Sequence, residues 1–194
     1  MRTIGIDPGS ITTGYGIIEQ QNNAFVTLAF GVVRLNAKAS FPHRLKKLYD
    51  ELAVLIEQHR PTRLALETAF YGKNAQSALK LGQVRGAIQV LAMNHGLEVL
   101  EYSPREVKKS LTGAGNASKE QVAFMVRKLL NLSTTGEFLD ASDALGLALC
   151  DAFKHHALLE SEMHALRNVR LQTQKRRYSS WKSFIDANPH LLRS

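Results

Sequence analysis

The sequence predicts an α/β domain with a mixed five-stranded sheet flanked by helices on both faces. Three observations lead there. The first 35 residues contain three apolar runs joined by short polar connections, the pattern of an antiparallel meander. Beyond residue 40, helical and strand-like segments alternate, and the whole order implies a mixed sheet with helices on both faces. With 194 residues, 44% hydrophobic and 22% charged, the chain can bury a sizeable core as one globular domain.

The elements follow in order. Strand one is Thr3–Asp7, and Pro8, Gly9 and Ser10 make a turn after it. Strand two is Tyr15–Gln20 and strand three Ala24–Leu35. Ser40 and Pro42 open a helix with Leu45, Leu48, Leu52, Leu55 and Ile56 along one stripe, and the helix stops before Pro61. Strand four is Arg63–Glu67. A long helix covers Ala75–Asn94, Gly96 ends it, and strand five is Leu97–Tyr102. A short helix starts at Pro104, and Gly113 and Gly115 interrupt the chain. Ser118 with Gln121 forms a capping box for the next helix, and a last helix starts near Leu139.

Four acidic residues fall at element ends. Asp7 closes strand one and Glu67 closes strand four, inside the apolar run LALET. Asp140 and Asp143, three apart at a helix start, project from one face. Each has a bland alternative. Asp7 can bond turn amides, Asp140 can cap the helix, and Asp143 can be a first-turn acid favoured by the helix dipole. Glu67 resists such an alternative, because a buried, unpaired carboxylate costs desolvation energy. Carboxylates gathered at one place repel unless a cation lies between them, and oxygen-only ligands select Mg²⁺ or Mn²⁺. Paired ions of that kind suit phosphodiester hydrolysis.

Charge and composition narrow the partner class. The net charge is +8 and the pI about 9.7, which favours an anionic partner, nucleic acid before membrane. Residues 161–194 hold seven basic side chains (Arg167, Arg170, Lys175, Arg176, Arg177, Lys182 and Arg193) against Glu162 and Asp186, five of the eight net charges. We therefore expect a body over 1–157 and a basic, flexible tail over 158–194, with Arg167–Lys182 flexible in the absence of DNA. Cys150, the single cysteine, lies in an apolar helical run and excludes an internal disulfide. His155 and His156 are adjacent and do not share a helix face. No run of 18 apolar residues and no signal peptide are present, so a cytoplasmic location is expected.

Four segments carry a family resemblance: GIDPGS followed by TGYG, ALETAFYGKNAQSALKLGQVRG, EYSPREVKKSLTGAGNASKEQV, and DASDALGLAL. Together, in order over residues 1–155, they resemble the RuvC Holliday-junction resolvases. The resemblance implies a ribonuclease H-like fold and a homodimer. It also implies Mg²⁺-dependent nicking of two symmetric strands of a four-way DNA junction in recombination and repair. Two Mg²⁺ per site, with Mn²⁺ as a substitute, would leave 5′-phosphate and 3′-hydroxyl ends. The family's acidic tetrad falls on Asp7, Glu67, Asp140 and Asp143, as catalytic residues and metal ligands. RuvA and RuvB, the branch-migration proteins, are implied partners.

DNA contact is expected after Glu67 and on two later helices. The resemblance places a base-stacking aromatic at Phe70, and an exposed ring beside Lys73 and Asn74 suits that job. Tyr71 either joins it or covers the sheet edge. Lys108 and Lys119 match positions that touch the DNA backbone in the resembling family, while Lys80, Arg85 and Lys109 are weaker candidates. Ala78, Gly82 and Gly86 form a small-residue row on the long helix. That row can merely fit the helix to its own sheet, and in the RuvC-like reading it also admits the same helix of a second subunit.

Three other classes are weighed. A sugar-kinase or actin-like phosphotransferase shares the opening strand–Asp–turn–strand, but needs a duplicated domain this chain is too short to hold. An RNA-processing nuclease of the YqgF type shares the opening motif but lacks the AFYGKNAQSALKLGQ segment. A non-catalytic DNA-binding protein would fit an Asn or Ala at an acid position, and all four are acids.

Overall fold

Strand β1 (Arg2–Asp7) sits at the centre of the sheet and carries the first of the acids. The structure, a computed structural model, describes residues 1–22, 24–68, 75–132, 138–177 and 182–183, with 138–140, 159 and 162–177 as backbone only. The other strands are β2 (Thr12–Gln21), β3 (Ala24–Arg34), β4 (Arg63–Glu67) and β5 (Glu98–Tyr102). The helices are α1 (Phe41–His59), α2 (Ala75–Asn94), α3 (Pro104–Thr112), α4 (Lys119–Leu129) and α5 (Phe138–Arg177). The sheet order is β3-β2-β1-β4-β5, antiparallel through β3-β2-β1 and parallel through β1-β4-β5. This is the mixed five-stranded sheet that the sequence predicts.

Alternation along the strands gives the sheet two apolar faces. Ile4, Ile6, Ile17, Leu64 and Leu66 meet Leu48, Leu52 and Ile56 of α1 and Val84, Ile88 and Leu91 of α2. On the opposite face Ala65 and Tyr102 meet Val107 and Leu111 of α3, Val122 and Val126 of α4, and Leu145, Ala148 and Leu149 of α5. Cys150 is buried.

Helix starts follow their local chemistry. Ser118 and Gln121 make the expected capping box, and Ser103 with Glu106 makes a second one at α3 that the sequence reading did not single out. Strand β2 begins earlier than predicted, at Thr12, because Gly14 pairs with Asp7 and Thr12 with Arg34. Helix α5 continues to Arg177, through part of the segment expected to form the tail. The chain forms two compact units, Met1–Phe153 and Lys154–Ser194.

One close approach positions the site. Gly5 of β1 and Gly16 of β2 are register partners on the α5 face. A Cβ on Gly5 would lie 2.0 Å from the Ala144 carbonyl oxygen, and one on Gly16 would lie 2.6 Å from a Leu145 methyl carbon. Helix backbone therefore rests directly on the sheet, which any side chain at Gly5 would prevent.

Candidate active site

The register of two parallel strands brings the first two acids together. Ile6 of β1 pairs with Leu66 of β4, so Asp7 and Glu67 leave the same end of neighbouring strands. Both lie on the face of Gly5 and Ala65, under α5. Because Ala144 packs on Gly5, the preceding Asp143 reaches the same corner.

Electrostatics record the proximity. Burial raises the Asp7 carboxyl above its ordinary value, the Asp143 charge raises it further, and a hydrogen bond from Glu67 and the Lys119 charge oppose the rise. Glu67 is pushed up to about 7, first by burial, then by the Asp7 charge, its hydrogen bond to Asp7 and the Asp143 charge, with Arg85 opposing. Protonated Glu67 thus donates to Asp7. The third acid has found a cation, since Lys119 Nζ lies 2.7 Å from Asp143 Oδ2.

These residues border a cavity of about 220 Å³ lined by Glu67, Asp143, Lys108, Lys119, Pro104, Val107, Val122 and Leu147. Its mix of carboxylates and two lysines suits a phosphate group carried with a cation. Among the described residues, no three His, Cys, Asp or Glu side chains already converge as a metal-holding group. The donor set nevertheless fits a hard divalent ion. It is oxygen-only, it is crowded enough to hold a proton near neutrality, and a lysine ammonium already rests on one member.

The site brings together Asp7, Glu67, Asp143, Lys108 and Lys119 of the expected residues. Asp140 lies in the first turn of α5, and its side chain is outside the described residues. Phe70, Tyr71, Lys73 and Asn74 also lie outside the described residues. Arg85, a weaker DNA candidate, is instead turned inward and buried. Its Nη1 donates to the Glu67 carbonyl oxygen at 2.5 Å, and its Nη2 pairs with Glu101 at 2.8 Å. Sequence reasoning missed that role, although an arginine on a helix among buried apolar neighbours, Val84 and Ile88, is a readable signal.

Comparison with known proteins now decides the family. The sequence profile described as crossover junction endodeoxyribonuclease RuvC matches residues 3–151. The chain belongs to the RuvC family. It is 52% identical over 192 residues to the crossover junction endodeoxyribonuclease RuvC of Chloroherpeton thalassium, covering 99% of both chains. The RuvC of Prosthecochloris aestuarii is 46% identical over 192 residues, covering 99% of this chain and 100% of its own. The structure of Thermus thermophilus RuvC in complex with Holliday junction substrate superposes with a TM-score of 0.76 at 32% identity, over 80% of this chain and 94% of that one. The fold is therefore the ribonuclease H-like fold of the RuvC resolvases.

The same geometry removes one alternative for the small-residue row on α2. A Cβ on Gly82 or Gly86 would meet nothing within 4 Å, so these glycines do not fit the helix against its own sheet. Leu79, Val90 and Met93, 66%, 57% and 70% exposed, continue the same helical stripe.

Proposed function

We infer that this chain is a Holliday-junction resolvase, a crossover junction endodeoxyribonuclease that nicks two symmetric strands of a four-way DNA junction in recombination and repair. One observation carries the reading. In a chain of the RuvC family, carboxylates from β1, β4 and α5 meet at one end of the sheet beside Lys108 and Lys119.

Asp7, Glu67 and Asp143, with Asp140 from the same helix, are the proposed ligands of two Mg²⁺, with Mn²⁺ as a substitute. Bound ions would supply Lewis acidity toward the scissile phosphate and toward the attacking and leaving oxygens. The protein's part is orientation. Asp7 accepts a hydrogen bond from Glu67 and feels the Asp143 charge, and it is the proposed ligand shared by the two ions. Lys119, which pairs with Asp143, is proposed to swing its ammonium to a phosphate oxygen, and Lys108 borders the same cavity. Hydrolysis then leaves 5′-phosphate and 3′-hydroxyl ends. Phe70 is the proposed base-stacking residue, with Tyr71, Lys73 and Asn74 contributing to DNA contact.

The proposed homodimer through α2 is supported by the open stripe of Leu79, Gly82, Gly86, Val90 and Met93, where glycines permit close helix approach and exposed apolar groups gain from cover. Two-fold symmetry would set two sites on a junction of matching symmetry. RuvA and RuvB are the proposed protein partners and the cytoplasm the proposed location. No helix among the described residues is long and apolar enough to cross a membrane. Residues 1–157 are the proposed nuclease body and 158–194 a basic tail for DNA.

The test is incubation with a synthetic mobile junction and Mg²⁺, with precursor RNA and linear duplex in parallel. Paired nicks at symmetric junction positions are expected. Cleavage of the RNA and not of the junction would favour the YqgF-type alternative.

A further inference from the structure

Two helical turns beyond Asp143, α5 carries a second carboxylate in a different setting. Asp151 is fully buried, between Cys150 and Ala152, in a run of otherwise apolar residues. All its bonding capacity is directed at the sheet. Arg63 of β4 grips it with two bonds, Nε to Oδ2 and Nη2 to Oδ1, each 2.9 Å. The Tyr102 hydroxyl of β5 donates to Oδ1 at 2.7 Å. The Thr3 hydroxyl of β1 donates to Oδ2 at 3.1 Å. Arg63 also pairs with Glu98 at the start of β5. One carboxylate on α5 is therefore tied to three adjacent strands.

The spacing links this tie to the site. Thr3, Gly5 and Asp7 share one face of β1, and four residues of strand span roughly 13 Å. Asp151 and Asp143 are eight residues apart on α5, roughly 12 Å of helix. With Asp151 held at Thr3 and Ala144 resting on Gly5, Asp143 has one place to fall, beside Asp7. Sliding the helix by one residue would move Asp143 by about 1.5 Å and turn it about 100° away. Displacements of that size are severe for a constellation that must converge on one ion.

We propose that Asp151, through Arg63, Tyr102 and Thr3, is a positioning residue that sets the register of α5 on β1 and so holds Asp143 in metal-binding geometry. The inference rests on the metal-dependent nuclease reading of the site and deepens it. Asp151 touches neither substrate nor metal; it acts through the helix.

The experiment compares the full-length parent, Asp151→Asn and Thr3→Val. Mn²⁺ binding is read from the electron paramagnetic resonance of the free ion. Thermal melting and junction affinity without metal are read alongside. Asp151→Asn should weaken Mn²⁺ binding by about tenfold, the low end of losses seen when groups supporting a ligand are removed. Junction affinity without metal should not change. Thr3→Val keeps the shape and leaves Arg63 paired, and should shift Mn²⁺ binding less but in the same direction. A merely structural role would lower the melting temperature and leave the Mn²⁺ affinity of the folded protein unaltered. Unaltered affinity in both variants overturns the proposal, and if Asp151→Asn does not fold, unaltered affinity in Thr3→Val alone overturns it. Junction nicking by the parent is scored in the same samples. A parent that binds Mn²⁺ without nicking contradicts the nuclease reading, while the Mn²⁺ comparison still decides the positioning role.

Discussion

Glu67 holds a proton where most carboxylates have lost theirs. Its value of about 7 in the fold lies above the ordinary 4.5, so the folded state binds more protons than the unfolded state between those values. Stability from this group is present below about 4.5 and is lost as pH rises through 7. Metal-free Glu67→Gln should therefore melt higher than the parent at pH 8, with the gap closing at pH 5. After discounting for an open site, ~1–2 kcal/mol is expected at the higher pH. Scanning calorimetry at the two pH values, in a chelator, checks this; a gap independent of pH would refute the crowded-carboxylate picture. The same proton competes with metal, so Mg²⁺ affinity should rise with pH through neutrality. Sequence alone pointed to Asp7, Glu67 and Asp143 because each stands at an element end, where a polar group must have a reason to be. It did not point to Asp151 or Arg85, whose partners are distant in sequence and become visible only when β1, β4, β5 and α5 are assembled.

At the scale of elements, β4 matched its expected bounds because its apolar run is short and flanked by Pro61 and an acid. The start of β2 was less readable, since Thr12–Gly14 becomes strand through pairing with β1 and β3, not through its own propensity. The contact of α5 on Gly5 was hidden for the same reason, because a glycine in a strand is ambiguous until its neighbour is known. Gly5→Ala should cost ~3 kcal/mol or more, the upper end of overpacking, because the obstacle is helix backbone and not a movable side chain. Denaturant titration measures it, and a loss below about 1 kcal/mol would mean that α5 adjusts freely. Gly86 presents the opposite case. Space is open there, so Gly86→Arg should keep the fold, and a helix gains up to ~1 kcal/mol when glycine is replaced. Light scattering should nevertheless show the proposed dimer lost. A variant that remains dimeric would remove α2 from the proposed interface.

Across the whole molecule, positive charge is concentrated toward the C-terminus, with five of the eight net charges in residues 161–194. The proposed role there is contact with phosphates of the junction arms. Truncation after His156 retains all of the Met1–Phe153 unit. It should lower the slope of log affinity against log salt by roughly 0.9 for each phosphate no longer contacted. The cleavage sequence preference should not change, since phosphate contacts carry no base information. Equal slopes for the truncated and full-length proteins would exclude the role. The acids Asp7, Glu67, Asp140 and Asp143 are proposed to serve metal-dependent hydrolysis and not DNA binding. Junction nicking and junction binding by Asp7→Asn, measured side by side in Mg²⁺, test it most directly. Nicking should be abolished while binding is kept or tightened, because a negative charge near the phosphates has been removed. Near-parental nicking by Asp7→Asn would contradict it.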